Sequence, residues 1–129
     1  MKYFDYSEFE LEIREDIPAT YAAYWLSLAS PGNWWTGAER VAIAQETRNA
    51  LACAFCVERK QALSPYGLAG RHDHSGVLDE RVVDAVHRII TDQNRITRAF
   101  VDDNAANGLS KPAYVCLLYT SDAADDQAC

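Results

Sequence analysis

The sequence predicts an all-α protein, a single bundle of five or six helices. Apolar residues recur at helical spacing in several segments, and one of these segments is rich in alanine, a strong helix former. No two segments alternate apolar and polar residues in the way that paired strands do. A chain of 129 residues is long enough to bury one core and too short for two domains of ordinary size.

Composition and charge narrow the classes of function that fit the chain. Hydrophobic residues make up 49% and charged residues 24%, a balance that excludes a disordered or collagen-like protein. The net charge of −7, with no basic stripe, argues against nucleic acid and anionic membranes as partners. No apolar run approaches the ~20 residues of a membrane span, and MKYFDYSEFELEIRED lacks the features of a secretory signal. We therefore expect a cytoplasmic protein.

The first two helices are predicted from their boundaries as well as from their spacing. A helix over residues 18–29 begins at Pro18, which suits a first turn, and a Ser-Pro-Gly sequence ends it. Thr36 and Glu39 form a capping-box pattern, in which each side chain bonds the backbone of the other residue. The alanine-rich segment that follows is therefore predicted to be helical to about residue 52.

The rest of the chain contains a loop and further helices. The helical pattern continues through CVERKQAL and stops before SPYG, and residues 67–76, GLAGRHDHSG, are predicted to form a loop. A turn over residues 92–94 separates the next helix from a weaker one over residues 96–107, which Gly108 closes. The helix between the loop and the turn is strongly amphipathic, and its apolar face holds Leu78, Val82, Val83, Val86, Ile89 and Ile90.

Residues 116–126, CLLYTSDAADD, are unusual as a continuation of this chain, since they hold three aspartates, no basic residue and no evident period. They resemble the translation of a transposon-end adapter used in preparing sequencing libraries, in which TGT CTC TTA TAC ACA TCT encodes Cys-Leu-Leu-Tyr-Thr-Ser. We therefore expect a helical domain over residues 1–115, truncated at its C-terminus, followed by adapter read-through over residues 116–129. The alternative is a genuine acidic tail.

Cys53 and Cys56 form a CxxC motif, which predicts redox or metal chemistry in a cytosolic chain. Side chains three residues apart on a helix share a face, so the two sulfurs can approach disulfide distance. If a new helix begins near residue 52, its N-terminus also favours thiolate over thiol. The alternative is a pair of small buried hydrophobic residues.

The stretch TGAERVAIAQETRNALACAFCVERKQALSPYG, followed by VVDAVHRIITDQNRIT, resembles the AhpD-like alkylhydroperoxidase and carboxymuconolactone decarboxylase superfamily. It is most similar to the branch of alkylhydroperoxidase-related (seleno)proteins, in which selenocysteine can occupy a CxxC position. The likeness covers residues 34–97. It implies an all-α homo-oligomer that reduces a peroxide with an external thiol reductant and without a metal or organic cofactor.

The resemblance also assigns roles within the motif. Cys53 and Cys56 match the redox pair of the peroxidase members, in which the second cysteine attacks and the first resolves. The attacking sulfur would then belong to Cys56, although the selenoprotein branch allows the reverse order. The family's histidine and glutamate positions fall on Lys60 and Val41, so neither member of the usual proton relay is in its place.

Two residues are candidates to replace that relay. Glu46 lies two helical turns before Cys53, a rise of ~10.5 Å that is too long for direct proton transfer unless the helix breaks. His87 lies at the edge of the amphipathic face, and its unperturbed pKa near neutrality suits a proton donor. The alternatives are a solvated helix face for Glu46 and a hydrogen-bonded core residue for His87.

Two further hypotheses about the function are open. Cys53 and Cys56, with His72 and His74 of the loop, have the composition of a tetrahedral zinc set, which predicts a non-enzymatic zinc-binding helical module. The other is a relative of the carboxymuconolactone decarboxylases that keeps the fold and lacks peroxidase activity. Solvated loop histidines are the alternative to zinc ligation.

Overall fold

The computed structural model describes residues 4–74 and 76–126, and this part of the chain is helical and contains no strand. The predicted all-α class is therefore confirmed. A short 3-10 turn, Gln93–Arg95, joins the fourth helix to the fifth. The six helices are α1 (Asp16–Leu28), α2 (Gly37–Ala50), α3 (Ala54–Gln61), α4 (Glu80–Asp92), α5 (Arg98–Ala106) and α6 (Lys111–Asp126).

Side-chain caps set several of the helix boundaries. The predicted capping box is present before α2, where the Glu39 amide donates to Thr36 Oγ1 at 3.2 Å and the Thr36 amide donates to Glu39 Oε2 at 2.8 Å. Asp79 caps α4 through a 2.9 Å bond from the Arg81 amide. Gly108, at φ +105°, follows α5 in a conformation that favours glycine.

Helix α4 lies at the centre of the fold and packs against α2, α3 and α6. Its apolar stripe carries five of the six residues predicted from the sequence, and Val83, Val86 and Ile89 are buried. The sixth, Leu78, precedes the helix because Asp79 caps it, and packs against the core from outside α4. Burial of such a stripe supplies most of the stability of a helix in a small domain. The buried core cluster consists of Ile43, Val82, Ala85, Val86, Ile89, Leu109, Tyr114 and Leu117.

A break between α2 and α3 positions the CxxC motif. Helix α2 ends at Ala50, and Cys53 adopts an extended conformation (φ −72°, ψ 118°) as the residue that precedes α3. The predicted continuous helix to residue 52 is therefore slightly too long. Because the chain changes direction here, Cys53 and Cys56 both turn towards α4 and are buried.

Helix α6 forms the end of the described chain, and the adapter origin of residues 116–129 stays a prediction. Residues 116–126 form its second part, and the predicted boundary at Val115 falls within the helix. Leu117, Ser121 and Ala124 are fully buried and recur at helical spacing, so the expected absence of a period is wrong. These residues lie on the face of α6 that packs against α2 and α4.

Candidate thiol site

The two sulfurs of the CxxC motif lie in a buried cluster with two imidazole rings. Cys53 is 0% and Cys56 2% exposed. One sulfur or nitrogen atom from each of Cys53, Cys56, His72 and His87 lies within 4.8 Å of the other three. The cluster draws on the start of α3, the loop between α3 and α4, and the middle of α4.

His87 links Cys56 to Glu46. Its Nδ1 atom lies 3.1 Å from Cys56 Sγ, and its Nε2 atom lies 2.7 Å from Glu46 Oε1. Both His87 and Glu46 are 0% exposed. The structure thus brings together both candidates for the proton relay, and His87 spans the distance that the rise along α2 would leave open.

Glu46 is not part of a solvated helix face. Its Oε2 atom is buried and has no hydrogen-bond donor among residues 4–74 and 76–126. A buried carboxylate oxygen without a donor is costly and is uncommon away from functional sites. Oε2 therefore has no partner of its own in the described part of the chain, while Oε1 is bonded to His87.

His72 lies between the two thiols. Its Nδ1 atom is 3.6 Å from Cys53 Sγ and 3.5 Å from Cys56 Sγ, within reach of both sulfurs. Its Nε2 atom donates to Asp84 Oδ1 at 2.8 Å. The sequence predicts that His72 lies in a loop and does not identify Asp84 as part of the site. The available signal was the position of Asp84 one helical turn before His87 on the same face of α4.

Asp84 is the shared acceptor of a charged network. Arg59 Nη1 donates to Oδ1 at 2.7 Å, and Arg88 Nε donates to Oδ2 at 2.9 Å. Burial alone would raise the pKa of Asp84, but hydrogen bonds from His72, Arg88 and Arg59 hold it well below its usual range. Asp84 is therefore a fixed negative charge behind His72.

That negative charge sets the protonation of His72. Burial disfavours the imidazolium, yet its hydrogen bonds to Asp84 and to the two cysteines raise the pKa of His72 to about 10. At neutral pH the ring is thus charged and presents its Nδ1–H group to both sulfurs. A cation in this position favours the thiolate form of Cys53.

Several hydrogen-bond donors act on the Cys53 thiol. Burial raises its pKa, but bonds from the backbone amides of Asp73 and Cys56, together with those from the His72 and Cys56 side chains, lower the pKa below the ordinary value. The backbone amide of Cys56 belongs to the first turn of α3, where unpaired N–H groups attract negative charge.

The pKa of His87 shifts in the opposite direction from that of His72. Burial lowers its pKa, and repulsion from the charged His72 lowers it further, although the hydrogen bond to Glu46 acts the other way. The ring is therefore neutral at neutral pH. With Nε2–H donated to Glu46, the Nδ1 lone pair faces Cys56 and can accept the thiol proton.

The loop that carries His72 is fixed against α3. The Phe55 ring meets the His72 ring edge-on, with centroids 5.0 Å apart. Gly70 permits this contact, because a Cβ atom there would lie 2.3 Å from Phe55 Cε2. The Ala54 amide also donates to Asp73 Oδ2 at 3.3 Å. Contacts with Phe55 and Ala54 of α3 therefore position the loop and the His72 ring.

Three other positions named from the sequence lie outside the cluster. His74 is exposed, and its Nδ1 accepts a bond from the Gly76 amide at 3.0 Å, so it does not lie with the other three residues of the predicted zinc set. His87, from the middle of α4, takes the fourth position instead. Lys60 and Val41, where the resemblance would place a histidine and a glutamate, are both exposed.

A cavity of about 190 Å³ lies on the other side of His72. Neither cysteine lines it, and both thiols are almost fully buried. The cavity therefore meets the His72 ring and does not reach either sulfur in this structure. The cavity is lined by Gly70, Arg71, His72, His74, Glu80, Val83 and Asp84.

Comparisons of the chain with protein-family models, with curated proteins and with solved structures give no match. Across residues 4–74 and 76–126, every helix is too short or too polar to traverse a lipid bilayer.

Proposed function

We propose that this chain is a thiol oxidoreductase of the AhpD-like type, which reduces peroxides through a dithiol–disulfide cycle of Cys53 and Cys56. The observation that carries the proposal is the buried chain of contacts from Cys56 through His87 to Glu46, beside a second thiol. A nucleophilic thiol next to a base that a third group orients is the general pattern of covalent catalysis.

In the first step, His87 Nδ1 accepts the proton of the Cys56 thiol, and Glu46 stabilises the imidazolium that results. The Cys56 thiolate attacks one peroxide oxygen, so that an S–O bond forms while the O–O bond breaks. The leaving alkoxide takes the proton from His87 and departs as an alcohol. Cys56 is oxidised to a sulfenic acid and His87 returns to its neutral form.

In the second step, the Cys53 thiolate attacks the sulfur of the sulfenic acid. An S–S bond forms, the S–O bond breaks, and the departing hydroxide takes a proton from the His72 imidazolium to become water. An external dithiol then reduces the disulfide by thiol–disulfide exchange and returns the protons to the site. The net reaction converts peroxide and dithiol into alcohol, water and an oxidised reductant.

The burial of the thiols constrains the size of the peroxide and the route by which it reaches Cys56. Peroxide approaches from the cavity beside His72, and this ring must move aside before the O–O bond can align with Cys56 Sγ. The cavity volume of about 190 Å³ admits a small hydroperoxide more easily than a bulky one. Exclusion of water from the buried Cys56 sulfur also protects the sulfenic acid from side reactions.

The proposal includes a cytoplasmic location and a homo-oligomeric state, both of which come from the sequence and the resemblance. A reducing compartment keeps the pair in the dithiol form between turnovers. Exposed apolar side chains on the outer helices, among them Leu26 and Val41, offer surface that a second copy of the chain would cover.

The test is peroxide consumption by the reduced protein with a dithiol reductant, in the presence of a chelator. We expect Cys56→Ser and Cys53→Ser to abolish turnover, and Cys116→Ser, which changes a free cysteine of α6, to retain it. Full turnover by Cys56→Ser would show that the attacking sulfur is misassigned, and full turnover by both variants of the pair would refute the proposal.

A further inference from the structure

We propose that the reduced thiol site is also a tetrahedral Zn²⁺ site, with Cys53 Sγ, Cys56 Sγ, His72 Nδ1 and His87 Nδ1 as ligands. The inference goes beyond the proposed function, because it concerns binding by the reduced protein and needs no peroxide turnover. It also differs from the set predicted from the CxxC and HxH motifs, since the fourth ligand comes from α4.

The separations of the four atoms suit this metal. Zinc bonds of about 2.3 Å to sulfur and about 2.0 Å to nitrogen place tetrahedral sulfur and nitrogen ligands roughly 3.5 Å apart. His87 Nδ1 lies 3.1 Å from Cys56 Sγ, and His72 Nδ1 lies 3.5 Å from the same sulfur and 3.6 Å from that of Cys53. Three of the six separations therefore lie close to the tetrahedral value, and all six are within 4.8 Å.

Both histidines are oriented in the way that metal ligands usually are. The Nε2 atom of His72 is 2.8 Å from Asp84, and that of His87 is 2.7 Å from Glu46, so each Nδ1 faces the other ligands. A carboxylate behind each imidazole fixes the tautomer and makes the ligating nitrogen more basic. Two such pairs at one buried centre are a second observation, independent of the ligand distances.

The charges around the centre also balance once the ion has displaced the thiol protons and the Nδ1 proton of His72, which leave to solvent. Two thiolates then neutralise the dication, and the two positive charges of Arg59 and Arg88, both bonded to Asp84, equal the negative charges of Asp84 and Glu46. Arg59 and Glu46 are fully buried, so any uncompensated charge there would be costly. The ligands come from α3, the following loop and α4, so a bound ion would hold these three segments together.

Zinc binding and disulfide formation exclude each other, because both use the same two sulfurs. Zinc on the reduced site would therefore shield the thiols from peroxide, and oxidation of the pair would release the ion.

The experiment is a titration of reduced, chelator-treated protein with Zn²⁺ alone and, separately, with Co²⁺ as a spectroscopic probe. We expect one ion per chain and a Co²⁺ spectrum with intense tetrahedral bands and thiolate charge-transfer absorption. Glu46→Gln should weaken Zn²⁺ binding about 10- to 100-fold. His72→Ala should weaken it more, whereas His74→Ala, in the same loop, should leave it unchanged.

Several results would overturn the inference. These are the absence of stoichiometric binding by the wild-type protein, a six-coordinate Co²⁺ spectrum, equal affinity in His72→Ala, or loss of binding in His74→Ala. The wild-type Co²⁺ spectrum decides the matter even where a variant fails to fold. Zinc binding and peroxide turnover are tested independently, because peroxide turnover is measured with a chelator present. A protein that fails to bind zinc can therefore still confirm or refute the peroxidase proposal.

Discussion

The Nδ1 atom of His87 lies 3.1 Å from the sulfur of Cys56, although 31 residues separate the two along the chain. Behind His87, the buried carboxylate of Glu46 accepts the hydrogen bond from the other ring nitrogen. This relationship gives the thiol a neutral base, although the resemblance to the AhpD-like superfamily would place the relay at Lys60 and Val41. The proton relay that we propose is thus built from α2 and α4 rather than from the residues that flank the motif.

Replacement of His87 tests this relay directly. His87→Asn should slow peroxide reduction by about 10²–10⁴-fold near neutral pH, because the Cys56 thiol loses its general base. The defect should shrink as the pH rises and the thiol ionises without help. Initial rates across a pH series measure both effects, with Asp103→Asn, an exposed residue of α5 outside the site, as the control that keeps wild-type rates. A defect of constant size at every pH would argue for a structural role instead.

The charge on His72 should appear in the pH dependence of stability. Its pKa is raised from 6.5 to about 10 in the folded protein, so its contribution is fully present below pH 6.5 and is lost as the pH rises towards 10. The stability advantage of wild type over His72→Gln should fall across that window, as measured by urea unfolding with chelator and reductant.

The control for that measurement is His74→Gln, an exposed histidine in the same loop. It should change the free energy of unfolding by no more than about 0.5 kcal/mol at any pH. An advantage of wild type over His72→Gln that does not vary between pH 6.5 and 10 would contradict the assigned charge.

Asp84 should be important for stability as well as for orientation. Asp84→Ala leaves the buried Arg59 guanidinium without its counter-charge, which should cost about 3–5 kcal/mol of unfolding free energy. Asp103→Ala is the matched control, because Asp103 pairs with Arg81 at the surface and should cost about 0–1 kcal/mol. Equal losses in urea titrations of the two variants would show that the Asp84 network is not a buried one.

Gly70 should tolerate no side chain. A Cβ atom there would lie 2.3 Å from the Phe55 ring, so Gly70→Ala must displace the loop and should cost about 1–3 kcal/mol. At Gly67 the nearest atom to such a Cβ is 3.8 Å away, so Gly67→Ala should be close to neutral. Thermal unfolding compares the two, and a neutral Gly70→Ala would mean that the loop does not pack on Phe55 as described.

Helix α6 should contribute to the core. Leu117 is 0% exposed within the core cluster, so Leu117→Ala should lower the unfolding free energy by about 2–5 kcal/mol. Val115→Ala, on the exposed side of the same helix, should change it by about 0.5 kcal/mol. No loss from Leu117→Ala would favour a domain that ends at residue 115 and would contradict the packing of α6.

The helices could be predicted because their signals are local. The capping box at Thr36 and Glu39 and the apolar stripe of α4 depend on residues only a few positions apart, and both appear in the structure. The helical period of residues 116–126 was missed, because small residues such as Ser121 and Ala124 give a weak apolar signal even when they are buried.

The site was predictable only in part. Sequence reasoning selected Cys53, Cys56, Glu46 and His87, but the contact between Glu46 and His87 depends on how α2 packs against α4. The choice of His74 over His87 as a zinc ligand followed from spacing along the chain. Spacing cannot show which side chains of a loop turn inwards, and here His72 does so while His74 does not.

The most direct test of the account is to identify the sulfur that peroxide oxidises. Chelator-treated Cys53→Ser protein is exposed to one equivalent of hydroperoxide with a sulfenic-acid trap, and the modified cysteine is located by mass spectrometry. We expect the trapped sulfenic acid on Cys56, and a disulfide between Cys53 and Cys56 in the wild-type protein treated in the same way. A trapped sulfenic acid on Cys116, with Cys56 unmodified and no such disulfide in the wild type, would contradict the account.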